Sequence, residues 1–225
     1  MRKGSGIFSV KRIAEPEALL AQGLQELKLD AALAEPLLAY LAELVKWNSA
    51  YNLTAVRDPA EMVTRHLLDS LALLPHLAAI PSSPMLDVGS GAGLPGLVLA
   101  IARPDWRIDV LDSNGKKARF LRHAQRSLHL DNVQVFESRV EELRVDEPYA
   151  AITSRAFASL GDFVAATEHL LADDGHWLAM KGRLDDNELA ALPPAVYSSR
   201  AVRLVVPGLR EERHLVIATR LPSSP

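Results

Sequence analysis

The chain has 225 residues, 48% of them apolar and 24% charged, which fits one or two globular domains with a proper core. It has no cysteine, which excludes disulfides, a cysteine nucleophile and a Cys-rich zinc site. A formal net charge of -3 argues against indiscriminate nucleic-acid binding but leaves room for a local basic face.

Residues 1–13, with Arg2, Lys3, Lys11 and Arg12, read as a flexible basic N-terminus. No apolar signal segment follows Met1, and no apolar run is long enough to span a bilayer, so a cytoplasmic protein with no membrane partner is expected. Residues 14–80 read as an N-terminal helical subdomain. One helix opens at Glu15-Pro16 and runs through Leu27, with Leu19, Leu20, Leu24 and Leu27 on one face. A second spans about Ala32 to Trp47. A polar loop, Asn48 to Ala55, follows, expected to shape the mouth of a ligand site. A third helix starts at Asp58-Pro59-Ala60-Glu61 and continues to about Leu77, carrying Arg65, His66 and Asp69. His66 and Asp69 stand at i and i+3, but no ligand cluster accompanies them, so no metal is expected.

Residues 81–84, Pro-Ser-Ser-Pro, read as a linker, and 85–221 as a second domain. There strands and helices alternate: strand 85–88, helix 95–102, strand 107–112, helix 115–129, strand 133–136, a short helix near 139–143, strand 150–153, helix 159–172, strand 176–180 and helix 185–191. Such alternation implies an α/β fold, a doubly wound, mostly parallel sheet with helices on both faces. Two last strands, 201–206 and 214–219, flank Pro207-Gly208; so short a connection makes them an antiparallel hairpin.

The stretch Leu86-Asp87-Val88-Gly89-Ser90-Gly91-Ala92-Gly93-Leu94-Pro95-Gly96 reads as strand, glycine turn and helix start. Three glycines at alternate positions let a ligand lie against bare main chain, and a helix N-terminus there favours an anion. Pro95 is expected in the first helical turn. The dinucleotide fingerprint requires a small residue where this chain has Leu94, which disfavours a nicotinamide oxidoreductase. Asp-x-Gly-x-Gly-x-Gly, with Asp87, Gly89, Gly91 and Gly93, resembles motif I of the class I S-adenosyl-L-methionine-dependent methyltransferases. About twenty residues on, Asp112 ends the next strand, where a carboxylate can take both hydroxyls of a ribose, each worth roughly 1.5–3 kcal/mol.

Arg103, Arg107, Lys116, Lys117, Arg119, Arg122 and Arg126 crowd one segment, opposed only by Asp105, Asp109 and Asp112. Lys116, Lys117, Arg119 and Arg122 are candidates for RNA phosphates; a solvated helix face explains them equally well.

The ordered set Trp47-Asn48, Asn52-Leu53-Thr54-Ala55, His66-Leu67-Leu68-Asp69-Ser70-Leu71, the glycine stretch, Ser138-Arg139-Val140-Glu141-Glu142, Ser154-Arg155-Ala156-Phe157-Ala158, Lys181-Gly182 and Glu211 with Arg213-His214 resembles the RsmG (formerly GidB) family over residues 20 to 220. The resemblance implies an S-adenosyl-L-methionine-dependent enzyme, with 16S rRNA of the small ribosomal subunit as partner, that methylates guanine N7 (guanine 527, in the 530 loop). It implies cofactor contacts at Gly89, Leu94, Val140, Glu141 and Arg155, and Asp112 matches the family's acid after the second strand.

Guanine N7 carries an in-plane lone pair and no proton, so neither a nucleophile nor a general base is needed. The missing cysteine also removes the covalent route to carbon-5 of pyrimidines. Val140 and Glu141 are expected at the adenine, Asp112 at the ribose and the Gly89 turn at the methionine. Arg155, the expected catalytic (positioning) residue, faces the methionine carboxylate or guanine O6. Lys181, Arg213 and His214 are expected toward RNA, and the chain is expected to act as a monomer. The alternatives are a small-molecule methyltransferase and a non-catalytic RNA-binding module of the same fold.

Overall fold

A computed structural model describes residues 7–78, 80–157, 159–184, 189–190 and 192–222 of the chain. Helix α1 runs Ile7–Glu26 and α2 runs Ala34–Tyr51. α1 begins well before the expected Glu15 start and takes in residues 7–13, read above as a flexible end. No Gly or Pro interrupts Ile7 to Glu15, and Pro16 inside the helix forfeits one backbone bond rather than ending it. The expected third helix is broken into α3 (Pro59–Met62), a π-helical turn (Val63–Leu68), α4 (Asp69–Leu71) and α5 (Leu74–Leu77). Pro75 in the first turn of α5 has no N–H for the preceding turn, so the helix must restart there.

The remaining elements are β1 (Met85–Val88), α6 (Gly96–Ala102), β2 (Ile108–Leu111), α7 (Gly115–Ser127), β3 (Val135–Phe136), β4 (Tyr149–Ser154), α8 (Leu160–Thr167), β5 (Leu171–Lys181), β6 (Tyr197–Leu204) and β7 (Arg213–Arg220). α8 stops short of the expected 172 because Leu171 already pairs with Tyr149 in β4, so β5 starts early and passes an irregularity in that pairing. Most of the expected helix 185–191 lies outside the described residues.

The seven strands form one sheet in the order β3-β2-β1-β4-β5-β7-β6. β1 pairs in parallel with both β2 and β4, so the chain winds outward from β1 in one direction and returns to wind in the other. The crevice beyond the carboxyl ends at such a reversal is where open α/β sheets bind ligands. β7 runs antiparallel between β5 and β6, as the short Pro-Gly connection requires. This insertion sets the start of β7 beside the end of β5.

Alternating side chains divide the core in two. Met85, Ile108, Val110, Leu178 and Leu215 face one way, into an apolar cluster shared with α1, α2, the π turn and α6. Leu86, Leu111, Ile152, Trp177 and Val216 face the other way, toward α8. The N-terminal helices thus build no separate core but cap one face of the sheet. Trp47 belongs to that packing, stacked on Tyr51 and in contact with Phe120 of α7, with ring centroids 5.2 and 5.7 Å apart.

Candidate functional site

Two cavities open at the carboxyl end of the sheet. The first, of about 240 Å³, is bounded by Gly89, Asp112, Val140, Glu141, Ala156 and Phe157. Gly89 has φ +69°, and a Cβ there would come within 2.7 Å of the Ala156 Cβ, so the turn closes against β4 only because the position is bare. Asp112, buried at the end of β2, accepts the Gly91 N–H through Oδ2 at 2.9 Å and the Asn114 N–H through Oδ1 at 2.8 Å. Each carboxylate oxygen keeps a second acceptor site, and the residue lines the cavity. Val140 lies in a single 3-10 turn, Val140–Glu142, that brings Glu141 to the rim. The slot combines bare main chain, a two-oxygen acceptor, and apolar walls from Leu111, Val140 and Phe157. That donor set fits an adenosyl group.

Five expected cofactor residues do not line this cavity: Arg155, taken up below, and four residues in and around the turn. Asp87 is wholly buried and lines neither cavity. Its Oδ2 accepts the Gly96 N–H at 2.8 Å, so the start of α6 is satisfied by the chain's own carboxylate rather than by a ligand. Gly93 (φ +85°) allows a backbone turn where a Cβ would run into Leu97 at 2.5 Å, and Leu94 packs into the first apolar cluster. Gly91 contributes its N–H to Asp112. These residues shape the turn from behind. Pro95 precedes α6 as its cap rather than lying in its first turn.

Asp87 has a measurable consequence. Burial pushes its carboxyl up to about 6, against the ordinary 3.8, with the Gly96 N–H opposing. The folded state then holds this proton more tightly than the unfolded chain. Its contribution to stability is therefore present below about pH 4 and lost as the pH rises through about 6, at a cost of about 3 kcal/mol at neutrality. Asp87→Asn keeps an acceptor for Gly96 without the charge. Urea unfolding should show the variant gaining on the unaltered chain between pH 4 and 7; parallel curves would contradict this.

The second cavity, of about 440 Å³, is bounded by His66, Asp69, Arg155, Lys181 and Arg213, with Arg65 at its edge. The π turn and the first residue of α4 set His66 and Asp69 against the end of β4 and the start of β7. Asp69, only 3% exposed, accepts from Arg155 Nη1 at 3.0 Å and from Arg213 Nε at 3.1 Å. Burial raises its pKa, and the two guanidinium groups oppose that rise. His66 Nε2 lies 2.9 Å from Thr54 Oγ1, and burial together with the Arg155 charge pushes its pKa down to about 4, so it is neutral at physiological pH. α2 takes in Asn48 to Tyr51 of the expected loop, and the remainder is held by Asn48, whose side chain takes the Thr54 N–H and gives a bond to the Val56 carbonyl. It braces His66 at this second cavity and does not reach the first, where the sequence reading put it. Lys181 Nζ donates to the Phe157 carbonyl at 3.0 Å.

The two cavities share a wall. Ser154 Oγ ties the end of β4 to the Val88 carbonyl at 2.7 Å and accepts the Ala156 N–H at 3.0 Å. From that anchored corner Arg155 turns into the second cavity and Ala156 into the first. Arg155, expected at the methionine carboxylate or at guanine O6, lines the second cavity and not the first. The spacing of His66 and Asp69 pointed to no metal, and it gave no sign that Asp69 holds both arginines. An acid within the apolar run Leu67-Leu68-Asp69-Ser70-Leu71 was the available signal.

Of the other expected RNA residues, His214 Nδ1 lies 2.7 Å from the Gly182 carbonyl, which it must address as an N–H. On α7, Lys117 stands 3.7 Å from Asp112, and Arg122 pairs with Glu137 at 2.6 Å. Lys116 and Arg119 are exposed.

Comparison with known proteins decides the family. Residues 33–216 match the model of the GidB family, described as rRNA small subunit methyltransferase G. The chain is 52% identical over 199 residues to ribosomal RNA small subunit methyltransferase G of Methylobacillus flagellatus, covering 88% of this chain and 95% of that one. It belongs to the rRNA small subunit methyltransferase G family.

The corresponding protein of Pseudomonas paraeruginosa is 53% identical over 203 residues, covering 89% of this chain and 94% of that one. The fold of this family member is that of the S-adenosylmethionine-dependent methyltransferases. An O-methyltransferase from Bacillus cereus, solved with S-adenosylhomocysteine, superposes with a TM-score of 0.57 at 17% identity over 81% of this chain and 91% of that one. Among the described residues, no helix is long and apolar enough to cross a membrane.

Proposed function

We propose that this family member transfers a methyl group from S-adenosyl-L-methionine to N7 of guanine 527 in the 530 loop of 16S rRNA. The observation that carries the reading is the shared wall: a cofactor slot and a larger cationic cavity meet at Arg155-Ala156. The cofactor supplies an electrophilic methyl group on a sulfonium. Asp112 holds the ribose, Val140 and Glu141 the adenine edge, and the Gly89 turn leaves room at the reacting end.

N7 lies on the outer edge of guanine and is approached in the ring plane, and the second cavity offers a place for a base splayed out of its loop. Arg155 donates to guanine O6, the acceptor beside N7 that arginine commonly reads. N7 itself must stay unbonded, because its lone pair forms the new bond. Losing no proton, it needs no base, and none is needed from the neutral His66 or from Asp69. The residues contribute alignment, which is worth roughly 7–11 kcal/mol in well-oriented two-reactant chemistry. Arg155, Lys181 and Arg213 against the carboxylate of Asp69, the one carboxylate lining the cavity among the described residues, make it cationic, as a phosphate-bearing substrate requires, while Arg65 is paired with Glu211. The reading is completed by a monomer acting in the cytoplasm on the small ribosomal subunit. Mass spectrometry of 16S rRNA from cells with and without this protein tests the reading. A 7-methylguanine in the 530 loop should be present only with it, and an unchanged loop would reject it.

A further inference from the structure

The proposed reaction leaves open where the RNA backbone runs once its base is in the second cavity. The strand register marks a path. Lys181 at the end of β5 pairs with His214 of β7, and His214 pairs with Arg203 of β6. Directly opposed residues share a face, so the three form one basic row across the end of the sheet. It is the face that buries Trp177, Ala179 and Val216 further along the strands. The row starts at the cavity, because Lys181 lines it and His214 is fastened to the lining Gly182. It ends two strand spacings away, about 10 Å, at the outer edge of the sheet. Arg203 is exposed there and has no partner among the described residues.

The rival surface is the basic face of α7. That helix follows β2, at the opposite end of the sheet from β6, and opens beside the cofactor slot. Two of its cations are already committed, Lys117 toward Asp112 and Arg122 to Glu137. It packs on the other face of the sheet, where His123 meets Glu43 of α2. A strand whose base lies among Arg155, Lys181 and Arg213 leaves that cavity nearest β7 and β6.

Resting on the proposed reaction, we infer that the nucleotides flanking the target guanine lie across the β5-β7-β6 edge, with a phosphate on Arg203, and not along α7. Phosphate contacts of this kind fix register without reading sequence. The test uses small ribosomal subunits from cells lacking this methyltransferase, bound in the presence of S-adenosylhomocysteine over a range of KCl, with methyl transfer measured in parallel. Arg203→Glu, at an exposed edge, should make the log–log salt dependence shallower by about 0.7–0.9 and raise KM for the subunit roughly tenfold with kcat unchanged. The pair Arg119→Glu and Arg126→Glu on α7 should change neither. A salt dependence and KM for Arg203→Glu equal to those of the unaltered chain would overturn the inference, as would a larger loss in the α7 variant. Subunits that the unaltered chain neither binds nor methylates would overturn the underlying reading instead.

Discussion

Asp69→Asn should lower kcat/KM for the small ribosomal subunit about 100-fold while leaving cofactor affinity within about twofold of the unaltered chain. Among the described residues Asp69 is the one carboxylate lining the cationic cavity, and its two oxygens each take one guanidinium, at 3.0 and 3.1 Å. The amide of Asn has nearly the same volume but one acceptor, and its NH2 faces a guanidinium that also donates. One arginine must then swing away. A displacement of about 1 Å at a positioning group is enough for a loss of this order, about 2.7 kcal/mol of barrier. The cofactor slot lies across the Arg155-Ala156 wall and should not register the change. Steady-state kinetics together with titration calorimetry of S-adenosylhomocysteine separate the two effects. A matching fall in cofactor affinity would mean that Arg155 serves the methionine end after all.

Asp112→Ala should do the reverse. It removes a carboxylate that lines the slot and holds both the Gly91 N–H and the Asn114 N–H. A hydrogen bond to a charged group contributes roughly 1.5–3 kcal/mol, so S-adenosylhomocysteine affinity should fall roughly 10- to 150-fold. At saturating cofactor the KM for the subunit should stay near that of the unaltered chain. The same calorimetric titration checks the first expectation, and an unchanged affinity would remove Asp112 from the ribose.

The frame of the proposed cofactor slot could be read directly from the chain. A strand, an alternate-glycine turn and an acid ending the next strand are local signals, and neighbouring parallel strands must bring them together. The antiparallel close followed from the length of one connection. Other features depend on contacts that periodicity does not report. That β7 inserts beside β5, bringing Arg213 to the cavity of Lys181, is a matter of sheet order. That Asp69 meets Arg155 and Arg213 depends on a π-helical turn inside what looked like one continuous helix. Asp87 and Asp112 look alike in sequence, each an acid at or just past a strand's end. Strand pleating turns Asp87 inward, under the turn, while Asp112 lies just past the end of β2 and reaches the cavity. The basic run on α7 was the loudest charge signal in the chain, yet two of its cations are spent on neighbouring carboxylates.

The division of labour across the Arg155-Ala156 wall is tested most directly by a crystal structure of the protein with S-adenosylhomocysteine. The ribose hydroxyls should lie on Asp112, the adenine beside Val140 and Glu141, and the sulfur between Gly89 and Ala156, with the cavity of Asp69 and Arg155 left open beyond it. A ligand seated among Asp69, Arg155 and Arg213, or one that makes no contact with Asp112, would contradict the account.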